Sequence, residues 1–277
     1  MKIRIVDAFT PHPFGGNPAG VVLFPDAHAF PADDWLQRVA AEVNLSETAY
    51  AHPLPGGRGE GETDWALRWF TPVTEVDMCG HATLATAHVL GETGLATGTV
   101  RFTARCGVLA ATVHDDGTIT MDFPTSPLLP AELPDGIERA IGAPAVSVHD
   151  TGELIGDLLV EVADEATVRA LEPDLAAVGR LSRRGLVVTA EAEDPGRGYD
   201  FVSRAFFPNA GIDEDPVTGS AHTALAPFWS ARLGRTELTG LQGSARTGLV
   251  RTALRGERTL LTGSAVTVIE GELLAAP

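Results

Sequence analysis

Two short stretches of the chain combine side chains that can move protons with a glycine that can begin a helix. The first contains Cys79, Gly80 and His81. The second contains, in order, Asp215, Thr218, Gly219, Ser220 and His222. Histidine, cysteine and a carboxyl group shielded from water can all change protonation near neutral pH. A glycine before a helix lets an anion approach the unpaired N–H groups of the first turn, so the pattern favours proton transfer on a small carboxylate. For one glycine-led helix alone, a turn or close-packing role of the glycine is the better explanation, and only the presence of two such helices makes an anion site equally well supported.

The elements that position these stretches form an internal repeat. Residues 68–72 and 204–208 share the pattern Arg-x-Phe-x-Pro, about half the chain apart. Each copy is followed by acidic residues, the glycine and a helix of small residues, which favours a duplication. The sequence therefore predicts an α+β protein of two similar halves, residues 1–124 and 125–277. In this prediction the last strand of the chain can pair with the sheet of the first half.

Local patterns add further elements. Helices are expected over residues 32–42 and 81–90, and a hairpin is expected at Asp116-Gly117 between strands 108–113 and 119–123. Cys106, between two expected strands, is assigned to packing. Loops 52–61 and 191–198 are expected to form pocket walls.

Composition excludes several classes of function. The 277 residues include 37 acidic and 20 basic side chains, for a net charge of -17, which disfavours nucleic acid and anionic membrane as partners. Two cysteines are too few for a disulfide framework or a four-cysteine zinc site, and no metal site is predicted. The absence of a signal-peptide core or long apolar run predicts a cytoplasmic protein.

A serine hydrolase is disfavoured. Asp215, Ser220 and His222 crowd into eight residues, and a serine and a histidine two positions apart on a helix face different directions. The Gly-x-Ser-x-Gly pattern typical of a nucleophilic serine does not surround Ser220.

Four blocks of residues, in order over nearly the whole chain, resemble the PhzF-like isomerase family of phenazine biosynthesis. They are residues 15–19, residues 45–49, residues 70–72 with 79–83, and residues 214–222. The resemblance implies the diaminopimelate epimerase-like fold, with two pseudo-symmetric halves that each wrap a sheet around a central helix. It places the active site in a cleft between the halves, and it implies a homodimer and no cofactor.

The resemblance also implies roles for individual residues. It makes Glu47 the general acid/base, although its local sequence alone indicates a solvated residue between a helix and a strand. The implied catalytic residues are Glu47, His81, Asp215 and Ser220. The predicted substrate-binding residues are Asn17, Cys79, Gly80, Thr218 and Gly219.

The sequence thus predicts a cofactor-independent isomerase that shifts a proton on a small carboxylic acid. One alternative is an epimerase or racemase of an amino or hydroxy acid. Such enzymes of this fold resemble one another in having a cysteine before each central helix, whereas this chain has Cys79 on one side and Asp215 on the other. The other alternative is a non-catalytic dimer that binds a small acid.

Overall fold

The computed structural model describes residues 1–56 and 64–277, and its strands and helices lie within these two ranges. The strands are β1 Lys2–Ala8, β2 Asn17–Leu23, β3 Glu47–Pro53, β4 Trp65–Phe70, β5 Glu75–Val76, β6 Thr99–Ala104, β7 Gly107–Val113, β8 Ile119–Pro124, β9 Leu129–Pro130, β10 Ala145–Asp150, β11 Asp157–Val162, β12 Gly185–Glu191, β13 Phe201–Phe207, β14 Ile212–Asp215, β15 Glu237–Gln242, β16 Gly248–Arg255, β17 Arg258–Gly263 and β18 Ala265–Glu272. The helices are α1 Asp33–Val43, α2 Gly80–Glu92, α3 Ile137–Ile141, α4 Gly152–Ile155, α5 Glu165–Ala170, α6 Leu175–Leu181 and α7 Gly219–Leu233.

The chain divides into two compact units. Unit 1 comprises Met1–Asp122 and Thr262–Pro277, and unit 2 comprises Phe123–Leu261. Strand β18 of unit 1 pairs antiparallel with β1, at the other end of the chain.

The two units have the same strand pairing. In unit 1, β1 pairs antiparallel with β2, β2 pairs parallel with β3, and β3 pairs antiparallel with β4. Strand β4 then pairs antiparallel with β5 and parallel with β6, which pairs antiparallel with β7. In unit 2, strands β10 to β16 repeat each of these relations in the same order. This common topology supports the duplication predicted from the Arg-x-Phe-x-Pro repeat.

The repeated arginine has the same role in both units. Arg68 donates two hydrogen bonds of 2.7 Å to the Glu75 carboxylate, and its guanidinium lies 5.0 Å from the centre of the Phe70 ring. Arg204 donates bonds of 2.7 and 2.8 Å to the Glu214 carboxylate. Because arginine and phenylalanine are two residues apart on a strand, they lie on one face. The ion pair joins that strand to the short strand that leads into the central helix.

Each unit wraps a sheet around one buried helix. Helix α2 packs against β1, β2, β3, β7 and β18. Helix α7 packs against β15 and β16, and its side chains share a core with residues of β11, β12 and β13. Both helices are buried on nearly every side, which explains their small and apolar side chains.

Most local predictions agree with the structure. The first predicted helix is α1, and the hairpin is β7 and β8, with Gly117 at φ 80° in the turn. The assignment of Cys106 to packing is wrong, because the residue lies exposed in the turn between β6 and β7. Part of the predicted pocket wall 52–61 lies outside the described residues.

Gly16, which precedes β2, allows a close approach of the backbone. A Cβ at this position would lie 2.0 Å from the carbonyl oxygen of Ala8, and the residue has φ +59°. We expect Gly16→Ala to lower the free energy of unfolding by about 2 kcal/mol or more, as measured by urea denaturation. Gly98→Ala is the control, because Gly98 has a similar φ of +67° but open space around it, and we expect it to cost about 1 kcal/mol. Equal losses in the two variants would contradict the role of the close contact.

None of the helices in the described part of the chain is both long and apolar enough to cross a membrane.

Candidate active site

In unit 1, four residues distant in sequence meet at the start of α2. Asn17 and Glu47 are the first residues of the neighbouring parallel strands β2 and β3. Cys79 is the N-cap of α2, and His81 is its second residue. Since α2 packs on both strands, it brings these side chains together. The four residues are only 0% (Asn17), 9% (Glu47), 6% (Cys79) and 4% (His81) exposed, so the cluster is shielded from water.

The His81 ring lies at the centre of this cluster. Its Nδ1 is 3.1 Å from Nδ2 of Asn17 and 3.5 Å from Sγ of Cys79. Its Nε2 is 3.3 Å from Oε2 of Glu47. The ring therefore lies between an amide and a thiol on one side and a carboxylate on the other.

Burial decides the charge of His81. The loss of solvation lowers the pKa of His81 to about 3, even with the Glu47 carboxylate nearby, because the ring has little contact with water. His81 is therefore a neutral imidazole at physiological pH. A neutral ring donates one hydrogen bond and accepts one, so its effect on Glu47 depends on which nitrogen carries the hydrogen.

The same cluster contains the residue types that ligate transition metals. Glu47, Cys79 and His81 offer ligand atoms that lie within 4.8 Å of one another. However, the thiol approaches Nδ1 and the carboxylate approaches Nε2, and one ion cannot bind both nitrogens of a ring. The short contacts of the thiol and the carboxylate therefore involve different ring nitrogens and do not converge on a single ligand atom of His81.

Unit 2 has a different polar cluster at the start of α7. Thr218, the N-cap of α7, donates a 2.5 Å hydrogen bond from its hydroxyl to Oδ2 of Asp215. Gln242, at the end of β15, accepts from the Thr218 backbone N–H at 2.8 Å and donates to the Asp215 carbonyl at 2.7 Å. The Gln242 side chain is fully buried, and its two hydrogen bonds hold the turn between β14 and α7 in place. Sequence reasoning missed Gln242, which no local motif marks.

Ser220 is held by an ion pair that the sequence also failed to indicate. Its Oγ accepts a 3.0 Å hydrogen bond from Nη2 of Arg184, and Nη1 of Arg184 donates to Oδ2 of Asp157 at 2.9 Å. The guanidinium also lies 4.7 Å from the centre of the Phe207 ring. Burial raises the pKa of Asp157 to about 6, although the charge of Arg184 acts in the opposite direction. The arginine thus places a positive charge beside the first turn of α7.

The two clusters occupy equivalent places in the repeat. Asp157 begins β11 as Asn17 begins β2, and Ser220 is the second residue of α7 as His81 is of α2. Arg184 lies directly before β12, the strand equivalent to β3. The same architecture therefore presents a neutral ring and a carboxylate in unit 1, and a hydroxyl and a guanidinium in unit 2.

The predicted site residues form two sets. Asn17, Glu47, Cys79, Gly80 and His81 lie together in unit 1, whereas Asp215, Thr218, Gly219 and Ser220 lie at the start of α7 in unit 2. His222 is turned from Ser220, because its Nδ1 donates a 2.8 Å hydrogen bond to the Thr218 carbonyl. The arrangement needed for a Ser-His hydrolase is therefore not formed by this pair.

Comparison with known proteins agrees with these observations. The family model for phenazine biosynthesis-like proteins matches residues 6–271. The chain belongs to this family. It is 46% identical to an uncharacterized isomerase of Pseudomonas aeruginosa over 99% of this chain and 98% of that protein. It is 38% identical to a PhzF-family phenazine biosynthesis protein of Enterococcus faecalis, whose crystal structure matches with a TM-score of 0.88 over 99% of each chain.

More distant structures share the fold of this phenazine biosynthesis-like protein. A hydroxyproline epimerase from Agrobacterium vitis matches with a TM-score of 0.61 at 14% identity, over 98% of this chain and 91% of that one. The predicted α+β fold, with a sheet around a central helix in each half, is therefore confirmed as epimerase-like.

Proposed function

We propose that the protein is an isomerase that moves a proton on a small carboxylic acid, with Glu47 as general acid and base. Membership of a family whose relatives are named isomerases supports an isomerase-type function. The observation that carries the finer proposal is the buried carboxylate of Glu47 beside the neutral ring of His81. Shielding from water raises the basicity of a carboxylate, which is a condition under which it acts as a base toward carbon.

One base is sufficient to balance the protons and electrons of the proposed isomerisation. The Glu47 carboxylate accepts the proton of a C–H bond next to the conjugated carboxylate, and the bonding electrons move into the conjugated system. The Glu47 carboxyl group then returns the proton to another carbon, so the double bond moves and the formula is unchanged. The backbone N–H groups at Gly80 and Gly219 are proposed to stabilise the developing oxyanion by about 3 kcal/mol each. The step requires no redox partner or cofactor.

Several parts of this proposal extend beyond the Glu47 cluster. Asp215 and Ser220 are proposed as the substrate-binding and proton-relay pair, with Asn17, Cys79 and Thr218 as substrate contacts. The shared cleft and the homodimer implied by the family resemblance stay predictions.

A second candidate is an epimerase that uses two bases. Sγ of Cys79 lies within 4.8 Å of the Glu47 carboxylate, so a thiol and a carboxylate are available in one unit. Two bases on opposite faces of a carbon would invert its configuration, whereas one base serving two carbons would move a double bond.

Incubation in D₂O tests both candidates against simple binding. We expect the protein to introduce deuterium into at least one acid from a panel of cyclic amino acids, hydroxy acids and conjugated cyclic carboxylic acids. Deuterium at a new carbon with a shifted double bond supports the isomerase, whereas loss of optical rotation in a pure enantiomer supports the epimerase. Binding without exchange across the panel would overturn both.

Paired cysteine variants refine this experiment. Cys79→Ala should abolish exchange if the thiol is the second base and leave most of it if Glu47 works alone. Cys106→Ala is the control, because Cys106 is exposed on the surface of the same unit.

A further inference from the structure

We infer that Asn17 is a positioning residue that holds His81 in the tautomer with the hydrogen on Nε2, and that this hydrogen keeps Glu47 ionised. The inference deepens the proposed function, because it assigns how the proposed base is kept ready to accept a proton. It concerns protonation states that can be measured without any substrate.

The first argument comes from the groups around Nδ1 of His81. Nδ2 of Asn17, at 3.1 Å, is an amide nitrogen and can only donate a hydrogen bond. The Cys79 thiol, at 3.5 Å, is a second group with a hydrogen to donate. A neutral imidazole has one bare nitrogen, and two facing donors favour Nδ1 as that nitrogen. The ring hydrogen then lies on Nε2.

The second argument comes from the opposite side of the ring. Nε2 is 3.3 Å from Oε2 of Glu47, and although the two atoms do not meet the geometry of a hydrogen bond, a hydrogen on Nε2 places the positive end of the N–H bond on the side of the ring that faces the carboxylate. A donor beside a carboxylate favours the ionised form, and the effect is stronger in a buried cluster than in water. The other tautomer would direct a lone pair at Glu47 and favour the protonated acid. Glu47, Cys79 and His81 form one group whose possible ligand atoms lie within 4.8 Å of one another.

His222 provides an internal comparison. Its Nδ1 lies 2.8 Å from the Thr218 carbonyl, which can only accept, so its hydrogen lies on Nδ1. Burial lowers the pKa of His222 to about 4, so this ring is also neutral. The two buried histidines are therefore expected to have opposite tautomers, because an amide donor faces one ring and a carbonyl acceptor faces the other.

NMR of protein labelled with ¹⁵N in its histidine rings tests the tautomers. Two-bond couplings identify the protonated nitrogen, and the variants His81→Gln and His222→Asn assign the two rings. We expect the hydrogen on Nε2 in His81 and on Nδ1 in His222. In Asn17→Asp the new carboxylate accepts from Nδ1, so His81 should change to the tautomer of His222. Asn44→Asp, an exposed change at the end of α1, should leave both rings unaltered.

The second step is tested by titrating Glu47 in protein labelled with ¹³C in its glutamate carboxyl groups, with Glu47→Gln for assignment. We expect Asn17→Asp to raise the titration midpoint of Glu47 by about one pH unit or more, a tenfold change in proton affinity. The added negative charge also raises this midpoint, so the comparison is repeated in a His81→Gln background, where no tautomer can change. A clearly smaller shift in that background supports the inference.

Two results would overturn the inference. One is a wild-type His81 with its hydrogen on Nδ1, which can be seen even if the Asn17→Asp protein does not fold. The other is an equal shift of the Glu47 midpoint with and without His81. A substrate panel that shows no exchange would remove the proposed function but would leave these tautomers unchanged, so the two failures can be told apart.

Discussion

Glu47→Gln is expected to lower kcat/KM for the proposed isomerisation by about 10³-fold, within the range typical of losing a general base. The amide has nearly the shape of the carboxylate but cannot accept a proton from carbon. The measurement is the initial rate of deuterium entry from D₂O into an acid that the wild-type protein turns over. The thermal midpoint should change little, because the substitution replaces a buried charge by a neutral group of the same size.

Two further variants separate the base from general effects of charge. Glu42→Gln removes a carboxylate from the exposed face of α1 in the same unit and should leave the rate unchanged. Glu47→Asp keeps the carboxylate but withdraws it by one methylene, so we expect an intermediate rate. Retention of wild-type exchange by Glu47→Gln would place the base elsewhere and remove the central step of the proposal.

The duplication and the two central helices could be predicted from the sequence, because each depends on a short local pattern of residues. The repeated Arg-x-Phe-x-Pro pattern predicted the duplication because the arginine and phenylalanine lie on one face of a strand, and the arginine binds the acidic residue of the next strand in both copies. The central helices were also predictable, because uninterrupted small and apolar residues after a glycine are typical of a helix buried on all sides.

Contacts between distant residues could not be predicted from the sequence. Arg184 and Asp157 lie 27 positions apart, and neither belongs to a motif. Gln242 reaches Asp215 only because β15 pairs parallel with β13 and so returns to the same end of the sheet. Such contacts depend on register and topology, which local patterns do not determine.

Glu47 shows how local and tertiary information can disagree. Its neighbourhood between α1 and β3 indicates a solvated residue, and only the family resemblance singled it out. In the structure it is buried because β3 pairs on both sides, with β2 and β4, while α2 packs on the strand. Its burial is therefore a property of the folded unit, and its catalytic role stays a prediction.

Acidification from pH 7 to pH 5 is expected to lower the free energy of unfolding by about 3 kcal/mol. Burial lowers the pKa of His81 to about 3 and that of His222 to about 4, from an ordinary value of 6.5. Below pH 6.5 the unfolded chain therefore binds protons that the folded protein excludes. The free energy of unfolding thus decreases by about 1.4 kcal/mol for each ring with every unit by which the pH is lowered. Asp157 acts in the opposite direction: its pKa is raised to about 6, so the folded protein binds a proton before the unfolded chain does and recovers about 1.4 kcal/mol by pH 5.

Urea denaturation at several pH values measures this dependence, and matched histidine variants assign it. His222→Asn preserves a donor for the Thr218 carbonyl but does not titrate, so it should remove about half of the joint contribution of His81 and His222 between pH 6.5 and pH 5. His28→Asn, at an exposed position, should leave the slope unchanged. Burial also lowers the pKa of His88 and His149, so some acid sensitivity should persist in a variant lacking both His81 and His222. An unchanged slope in His222→Asn would mean that this ring titrates normally in the folded protein, and the argument for a neutral ring would then fail for His222.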